Sequence, residues 1–180
     1  MLGTTHATNA ILERRALGRV AAIRLGAPAS LSLEPMESWP DDLRDAVCVG
    51  ACILEGGHYV DGQRISPLDE DGIRKFLLSV ANTVDAIAIT SIFGPTSPQD
   101  EERAREIVSE VLGEKMAVTL SHEIGSLGLL ERENATILNA ALFGVIGQVI
   151  GAGLAMMGAI GAGAGIGIVV SGAVQAIGPY

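Results

Sequence analysis

The chain has 180 residues, enough for one ordinary domain and a short extra element but not for two globular domains. Its net charge of -9 at pH 7 excludes a nucleic-acid or anionic-lipid surface as the main function, because phosphate binding needs clustered Lys and Arg. Every Asp, Glu, Lys and Arg lies at or before Glu133. The sequence therefore predicts a charged, water-exposed domain over 1–142 and an apolar segment over 143–180.

Local signals in the first part predict alternating helices and strands. A helix over 7–15, capped by Thr8 or Asn9, is followed by a strand over 19–25 that lies between two glycines. Residues 27–40 contain three prolines and are predicted to form a loop. The apolar stretch 47–54 favours a strand, and the glycines that follow it predict a hairpin with residues 63–65.

Residues 67–120 carry the pattern of a βαβ unit. A helix begins at about Pro67, and the apolar run 84–93 predicts a strand that is buried on both faces. Ser97 is the expected cap of the next helix, which ends at Gly113 and leads into a strand over 116–120. Strands joined by a helix at this spacing are expected to be parallel, so the predicted class is α/β. A last amphipathic helix is predicted to end at about residue 142.

The cysteines and histidines give no sign of a metal site. Cys48 and Cys52 are four residues apart, without a second pair or an adjacent His, which predicts free thiols in a reducing compartment. No signal peptide is evident at the start of the sequence, so the first part is expected in the cytoplasm. His6 and His58 have no acids at metal-ligand spacing, and we expect no metal site.

Three segments resemble, in the same order, the N-terminal domain of the hydantoinase/oxoprolinase family. They read LGTTHATNAILERRALGRVAAIRLG, GGHYVDGQRISPLDEDGIR and VTLSHEIGSLGLLERENATILNAAL, and together span about residues 2–142. The resemblance implies a truncated actin-like or ribonuclease-H-like ATPase-type domain with βαβ units. It also implies enzymes that open cyclic amides, such as hydantoins or 5-oxoproline, with ATP and Mg²⁺; some relatives carboxylate ketones.

The same resemblance implies which residues line a nucleotide or substrate cleft. These are Thr4, Thr5, Thr8, Asn9, Ser121, His122 and Glu123. For His122 and Glu123 the alternative is a structural role, in which they bond to neighbouring backbone. The family's phosphate loop precedes the first segment and its catalytic domain follows the last. The resemblance therefore implies a fragment that is inactive alone and that needs a partner chain to supply the catalytic parts.

Residues 143–178 are apolar and rich in glycine, and the run is longer than the roughly 20 residues that span a bilayer. The segment GAIGAGAGIGIVVSGAVQAI resembles the first transmembrane helix of the ring-forming c subunit of rotary ATP synthases. Small residues let such helices pack closely. The glycines concerned are Gly161, Gly163, Gly165 and Gly167. This resemblance implies a helix in the inner membrane and a homo-oligomer; the alternative is a generic anchor or an aggregation-prone segment. Proton transport by the tail alone is not expected, because no ionisable carboxylate follows Glu133.

Three functional hypotheses follow from these two resemblances. The first is a fragment of an ATP-dependent cyclic amide hydrolase, which arose by gene fusion or truncation. The second is a membrane-embedded, c-subunit-like ring helix that carries a cytoplasmic α/β extension. The third is a soluble binding module with an aggregating tail.

Overall fold

The chain alternates helices with the strands of one parallel sheet. The computed structural model describes residues 2–125 and 128–143, with side chains described from Thr8 onward. Its strands are β1 (Val20–Ala27), β2 (Cys48–Glu55), β3 (Ala86–Ser91) and β4 (Ala117–Leu120), and they pair in the order β2-β1-β3-β4 with every pair parallel. The helices are α1 (Leu2–Glu13), α2 (Asp41–Val47), α3 (Glu70–Val80), α4 (Gln99–Leu112), the short α5 (Ser121–Ile124) and α6 (129–143). The parallel sheet confirms the predicted α/β class.

The two central strands are buried on both faces, as their apolar sequences predicted. β1 and β3 carry no exposed residue along their lengths. Ile23 and Ile89 point to the face covered by α3 and α4, where Ile107 is among the fully buried side chains. Helices on the faces of a parallel sheet keep every strand residue away from water, so these strands need not alternate polar with apolar residues.

The opposite face of the sheet is covered by α2, α6 and the loop that follows β1. Val20 and Ala22 point to this side and pack with Ile137 of α6. The amide of Gly18 donates to the carbonyl of Ala141 at 2.8 Å, so α6 is also tied to the chain just before β1. The predicted last helix is therefore confirmed, and it forms part of the core.

Helix α1 begins earlier than the sequence predicted. Because it starts at Leu2, Thr8 and Asn9 lie inside the helix and do not cap it. Thr and Gly lower helix propensity by about 1 kcal/mol or less per residue, which is too little to exclude these residues from a helix. The helix ends where Arg14 takes a left-handed φ of 53° and the amide of Arg15 bonds to the Ala10 carbonyl.

Three further local predictions need correction. Helix α2 was missed, because its seven residues are too few to show a period. The predicted hairpin is reduced to a single antiparallel bridge between His58 and Arg64, which lies beyond the end of β2. Helix α4 begins at Gln99 after Pro98 without a side-chain cap bond, so Ser97 is not the predicted cap. The buried carboxylates of Asp100 and Glu101, in the first turn, accept bonds from residues outside the helix.

The predictions for the apolar tail fall on residues 144–180, outside the described residues. They include the transmembrane helix, the resemblance to the ATP synthase c subunit and the packing glycines at 161, 163, 165 and 167. Among the helices of 2–125 and 128–143, none is both long and apolar enough to cross a membrane. The predicted domain boundary at residue 142 stays a prediction.

Both cysteines are free thiols and lie in the sheet. Cys48 and Cys52 lie on β2, and each is partly buried. Burial raises the pKa of the Cys52 thiol to about 12, and the carboxylate of Asp69 adds to the rise. Burial also raises the pKa of Cys48. Since the thiolate is the reactive form, folding should protect both groups.

We expect the Cys48→Ala variant, whose single thiol is Cys52, to be alkylated by iodoacetamide at pH 8 at least about tenfold more slowly when folded than in urea. The reason is the high pKa of Cys52, which leaves little thiolate at pH 8 in the folded chain. The rates can be followed by mass spectrometry. Equal rates in the folded and unfolded chain would contradict the burial of this thiol.

Candidate functional site

The polar groups of the domain converge at the carboxyl edge of the parallel sheet. β3 ends at Ser91 and β4 ends at Leu120, where Ser121 immediately begins α5. The carboxyl ends of neighbouring parallel strands lie side by side, and open α/β sheets bind their ligands at this edge. Ser91 and Ser121 are both fully buried. We refer to the polar groups gathered around these two serines as the strand-end network.

A buried carboxylate, Glu101 of α4, is the centre of the strand-end network. One carboxylate oxygen, Oε1, accepts from the amide of Ser91 at 2.8 Å and from the hydroxyl of Ser121 at 2.5 Å. The other, Oε2, accepts from the amide of His122 at 3.0 Å and bonds to its Nδ1 at 2.8 Å. Glu101 is wholly excluded from solvent, and a buried charge is tolerated only when such donors replace water. A Cβ at Gly94 would lie 2.4 Å from Oε1, so a side chain at that position would displace the carboxylate.

A buried guanidinium, Arg132 of α6, extends the network from the other face of the sheet. Its Nε donates to the hydroxyl oxygen of Ser121 at 2.9 Å, and an Nη donates to the carbonyl of Ser91 at 2.5 Å. Burial lowers the pKa of Arg132, while the carboxylates of Glu101 and Glu133 oppose that shift. Ser121 thus joins an acidic and a basic group that come from different helices.

A buried ion pair between Arg24 and Glu133 fixes the helix that carries Arg132. Arg24 of β1 is fully buried, and its Nε donates to Glu133 Oε1 at 2.8 Å while an Nη contacts the other carboxylate oxygen. An Nη of the same guanidinium donates to the carbonyl of Leu33 in the loop after β1. Arg24 therefore fixes both α6 and this loop on one face of the sheet.

Asp100, the residue before Glu101, is also fully buried and holds the loop after β2. Its Oδ2 accepts from the amide of Gly57 at 2.9 Å, and its Oδ1 lies 3.0 Å from an Nη of Arg64. His58 is buried, and its Nδ1 lies 3.8 Å from Oδ2, an acid that spacing in the sequence does not reveal. At that distance the two groups are not hydrogen-bonded.

A pocket of about 530 Å³ opens beside the strand-end network. It lies after β3, and most of its lining is apolar. Phe93, which adopts a left-handed φ of 51°, lies in this wall with 43% of its surface exposed. A positive φ costs free energy in a bulky residue and often marks a functional site. The lining residues are Val60, Ile92, Phe93, Pro95, Thr96, Gly128, Leu129 and Arg132. Arg132 is the one charged residue among these eight.

The structure brings together only part of the cleft that the resemblance implied. Ser121 and His122 meet through Glu101, and Glu123 follows them in α5 with its side chain exposed. Thr8 and Asn9 are exposed on α1, and Asn9 does not take part in the strand-end network. Thr4 and Thr5 also lie in α1, but their side chains are outside the described part of the chain. The role of these seven residues in a cleft stays a prediction.

Local sequence patterns do not reveal the two residues that organise the site, Glu101 and Arg132. Glu101 lies in a run of acids at the start of α4, where the helix dipole is a sufficient reason for acids. Arg132 lies in a polar stretch of a helix that reads as a solvated face. Arg132 lies one turn before Thr136 and on the same side of α6, and the structure shows that both side chains are buried.

The ATP that the resemblance implies stays a prediction for this chain. Phosphate groups are favoured at helix N-termini, which offer free amides and the positive end of the helix dipole. The first turns of α2, α3, α4 and α5 carry acids, which disfavour a bare phosphate, whereas the first turn of α1 carries none.

We expect the Glu101→Gln variant to be less stable by about 3 kcal/mol or more, because the amide nitrogen cannot accept bonds from donors that stay buried. Glu106→Gln, at an exposed position of the same helix, should change stability by no more than about 0.5 kcal/mol. Urea unfolding of the full chain measures both variants. Equal stabilities would mean that Glu101 does not carry the network.

Comparison with known proteins supports the first of the two resemblances, the one to the hydantoinase/oxoprolinase family. The family model described as the hydantoinase/oxoprolinase N-terminal region matches residues 1–112. No protein of curated function matches the chain. Among solved structures, the ATP-dependent caprolactamase from Pseudomonas jessenii superposes with a TM-score of 0.66 at 24% identity, over 83% of this chain and 23% of that one. A nucleotide-free acetone carboxylase superposes with a TM-score of 0.61 at 20% identity, over 77% of this chain and 22% of that one.

These similarities establish the family and the fold. The chain spans less than a quarter of the length of either solved structure, and at these identities the likeness shows the fold alone. The family model covers 112 of the 180 residues, which is more than half of the chain. The chain therefore belongs to the hydantoinase/oxoprolinase family and contains its N-terminal region.

Proposed function

We propose that this chain supplies the N-terminal part of an ATP-dependent enzyme that opens cyclic amides such as hydantoin or 5-oxoproline. The observation that carries the proposal is the family match over residues 1–112. One structural neighbour is named an ATP-dependent caprolactamase, and caprolactam is itself a cyclic amide. The other neighbour is described in terms of ATP-dependent acetone carboxylation, so ketone carboxylation is the rival within the same family.

The pocket beside the strand-end network suits a small ring with one polar edge. Ile92, Phe93 and Leu129 offer apolar surface, and Arg132 brings a positive charge to one side. Ligand sites of this kind combine mostly apolar walls with a few polar groups that fix orientation. A ring carbonyl or carboxylate near Arg132 would be stabilised by that charge.

The predicted cleft residues enter this proposal in two groups. Ser121 contacts Arg132 directly, and His122 and Glu123 follow it at the same strand end. The residues of α1, namely Thr4, Thr5, Thr8 and Asn9, would approach the substrate or nucleotide from the opposite wall of a cleft in an actin-like or ribonuclease-H-like ATPase.

ATP and Mg²⁺ would need groups from other parts of the complete enzyme as well as from this chain. The chain spans less than a quarter of either structural neighbour, so we expect no turnover of a cyclic amide by this chain alone. A partner chain of the hydantoinase type would supply the phosphate loop and the catalytic domain, in the cytoplasm where free thiols such as Cys48 persist. The membrane-ring and binding-module hypotheses depend on residues 144–180 and gain no support from the described residues.

The test is complementation. We expect the purified full chain to show no ATP-dependent opening of hydantoin or 5-oxoproline. Coexpression with a hydantoinase-type chain that lacks its own N-terminal region should restore that activity. Val60→Glu, which puts a negative charge at an exposed position of the pocket wall, should lower the restored kcat/KM at least about tenfold; the matched control Leu78→Glu on α3 should not.

Two outcomes would contradict the proposal. Turnover by the chain alone would show that it needs no partner chain. Complementation that restores ATP-dependent ketone carboxylation without any ring opening would favour the rival reaction. Equal losses in Val60→Glu and Leu78→Glu would show that the pocket is not part of the substrate site.

A further inference from the structure

A second group of side chains lies on the outer side of the strand-end network. Glu102 of α4 and His122 and Glu123 of α5 each offer one ligand atom, and the three atoms lie within 4.8 Å of one another. We call these three residues the outer cluster. Glu102 and His122 are partly exposed and Glu123 is exposed, so an ion from solvent could reach all three.

The buried carboxylate of Glu101 fixes the tautomer of His122. Oε2 of Glu101 is 2.8 Å from Nδ1 of His122 and also accepts from the amide of the same residue. An ionised carboxylate only accepts hydrogen bonds, so Nδ1 must carry the proton and Nε2 presents its lone pair. Metal-binding histidines commonly have this arrangement, in which a carboxylate behind the ring orients it toward the ion.

The free side of the His122 ring faces a second carboxylate. Nε2 lies 3.3 Å from Oε1 of Glu102. With the proton on Nδ1, Nε2 and the carboxylate oxygen both present lone pairs to the space between them, where one cation could bind both atoms. Two ligand atoms that each lie about 2.1 Å from a tetrahedral zinc ion are about 3.4 Å apart. The observed distance fits two ligands of one ion.

Arg105 is the charged group that would compete with an ion in the outer cluster. Its guanidinium contacts the other oxygen of Glu102 and lies 3.6 Å from Oε1 of Glu123. Its side chain is 45% exposed, and exposed ion pairs are weak because water screens them. An arriving divalent ion would therefore displace Arg105 at little cost.

We propose that Glu102, His122 and Glu123 form a binding site for a zinc-class divalent ion, with Glu101 as a positioning residue. One imidazole and two carboxylates form a ligand set for Zn²⁺, whereas Mg²⁺ prefers oxygen ligands throughout. Three protein ligands leave the fourth tetrahedral position for water or another ligand. The site does not depend on cyclic amide chemistry, and its test is independent of the complementation assay.

The test uses the untagged full chain, stripped of metal with a chelator and titrated with Zn²⁺ against a chromophoric chelator. We expect one competing Zn²⁺ per chain and no comparable binding of Mg²⁺. Glu102→Gln and Glu123→Gln should each weaken Zn²⁺ binding at least about tenfold, because each removes a ligand. Glu106→Gln, on the same helix but outside the cluster, should bind as the wild type does. Arg105→Gln should strengthen binding severalfold.

A second measurement distinguishes a metal ion bound to Nε2 of His122 from a proton on the same nitrogen. In NMR spectra recorded with Zn²⁺ at neutral pH, Nε2 of His122 should have the chemical shift of a metal-bound nitrogen. A protonated Nε2 under those conditions would overturn the proposal. So would Zn²⁺ affinity that is unchanged in Glu102→Gln and Glu123→Gln, or that falls in Arg105→Gln. Circular dichroism of each variant confirms that affinities are compared between folded chains.

Discussion

A carboxylate that is shut away from water needs a hydrogen-bond donor for each oxygen, and Glu101 obtains its donors from two neighbouring strand ends. The amide of Ser91 belongs to the last residue of β3. The hydroxyl of Ser121 and the amide and side chain of His122 come directly after β4. Because these donors lie on separate segments, the charge of one side chain on α4 fixes the relative position of both strands. Gly94 is needed at the same point, since a side chain there would push the carboxylate out.

The functional features of this edge depend on that carboxylate. Ser121 accepts a bond from Arg132, which lines the apolar pocket, and His122 turns its free nitrogen toward Glu102. Arg132 is in turn carried by a helix that the buried pair of Arg24 and Glu133 fixes to the sheet. The removal of one partner from such a pair leaves a buried charge uncompensated, which costs several kcal/mol. The edge should therefore behave as one unit.

The sequence predicted most of the sheet and little of the site. The apolar run around β3, the proline before α4 and the acids in its first turn are local signals, and the elements they indicated are present. Helix α2 is too short to show a period, and the predicted hairpin is confined to one bridge beyond the end of β2. Glu101 bonds to residues 10 to 21 positions away and Arg132 bonds to one that is 41 positions away, which no local pattern reveals. The family resemblance did indicate Ser121 and His122, but not the acid that holds them.

The most direct test of this account is hydrogen exchange of the backbone amides of Ser91 and His122 in the full chain. Both amides donate to the Glu101 carboxylate, at 2.8 and 3.0 Å. If that carboxylate holds the strand ends together, both amides should exchange as slowly as the amide of Ile89 in the middle of β3, through global unfolding. Exchange as fast as that of an exposed turn amide such as Gly62 would contradict the central role of Glu101.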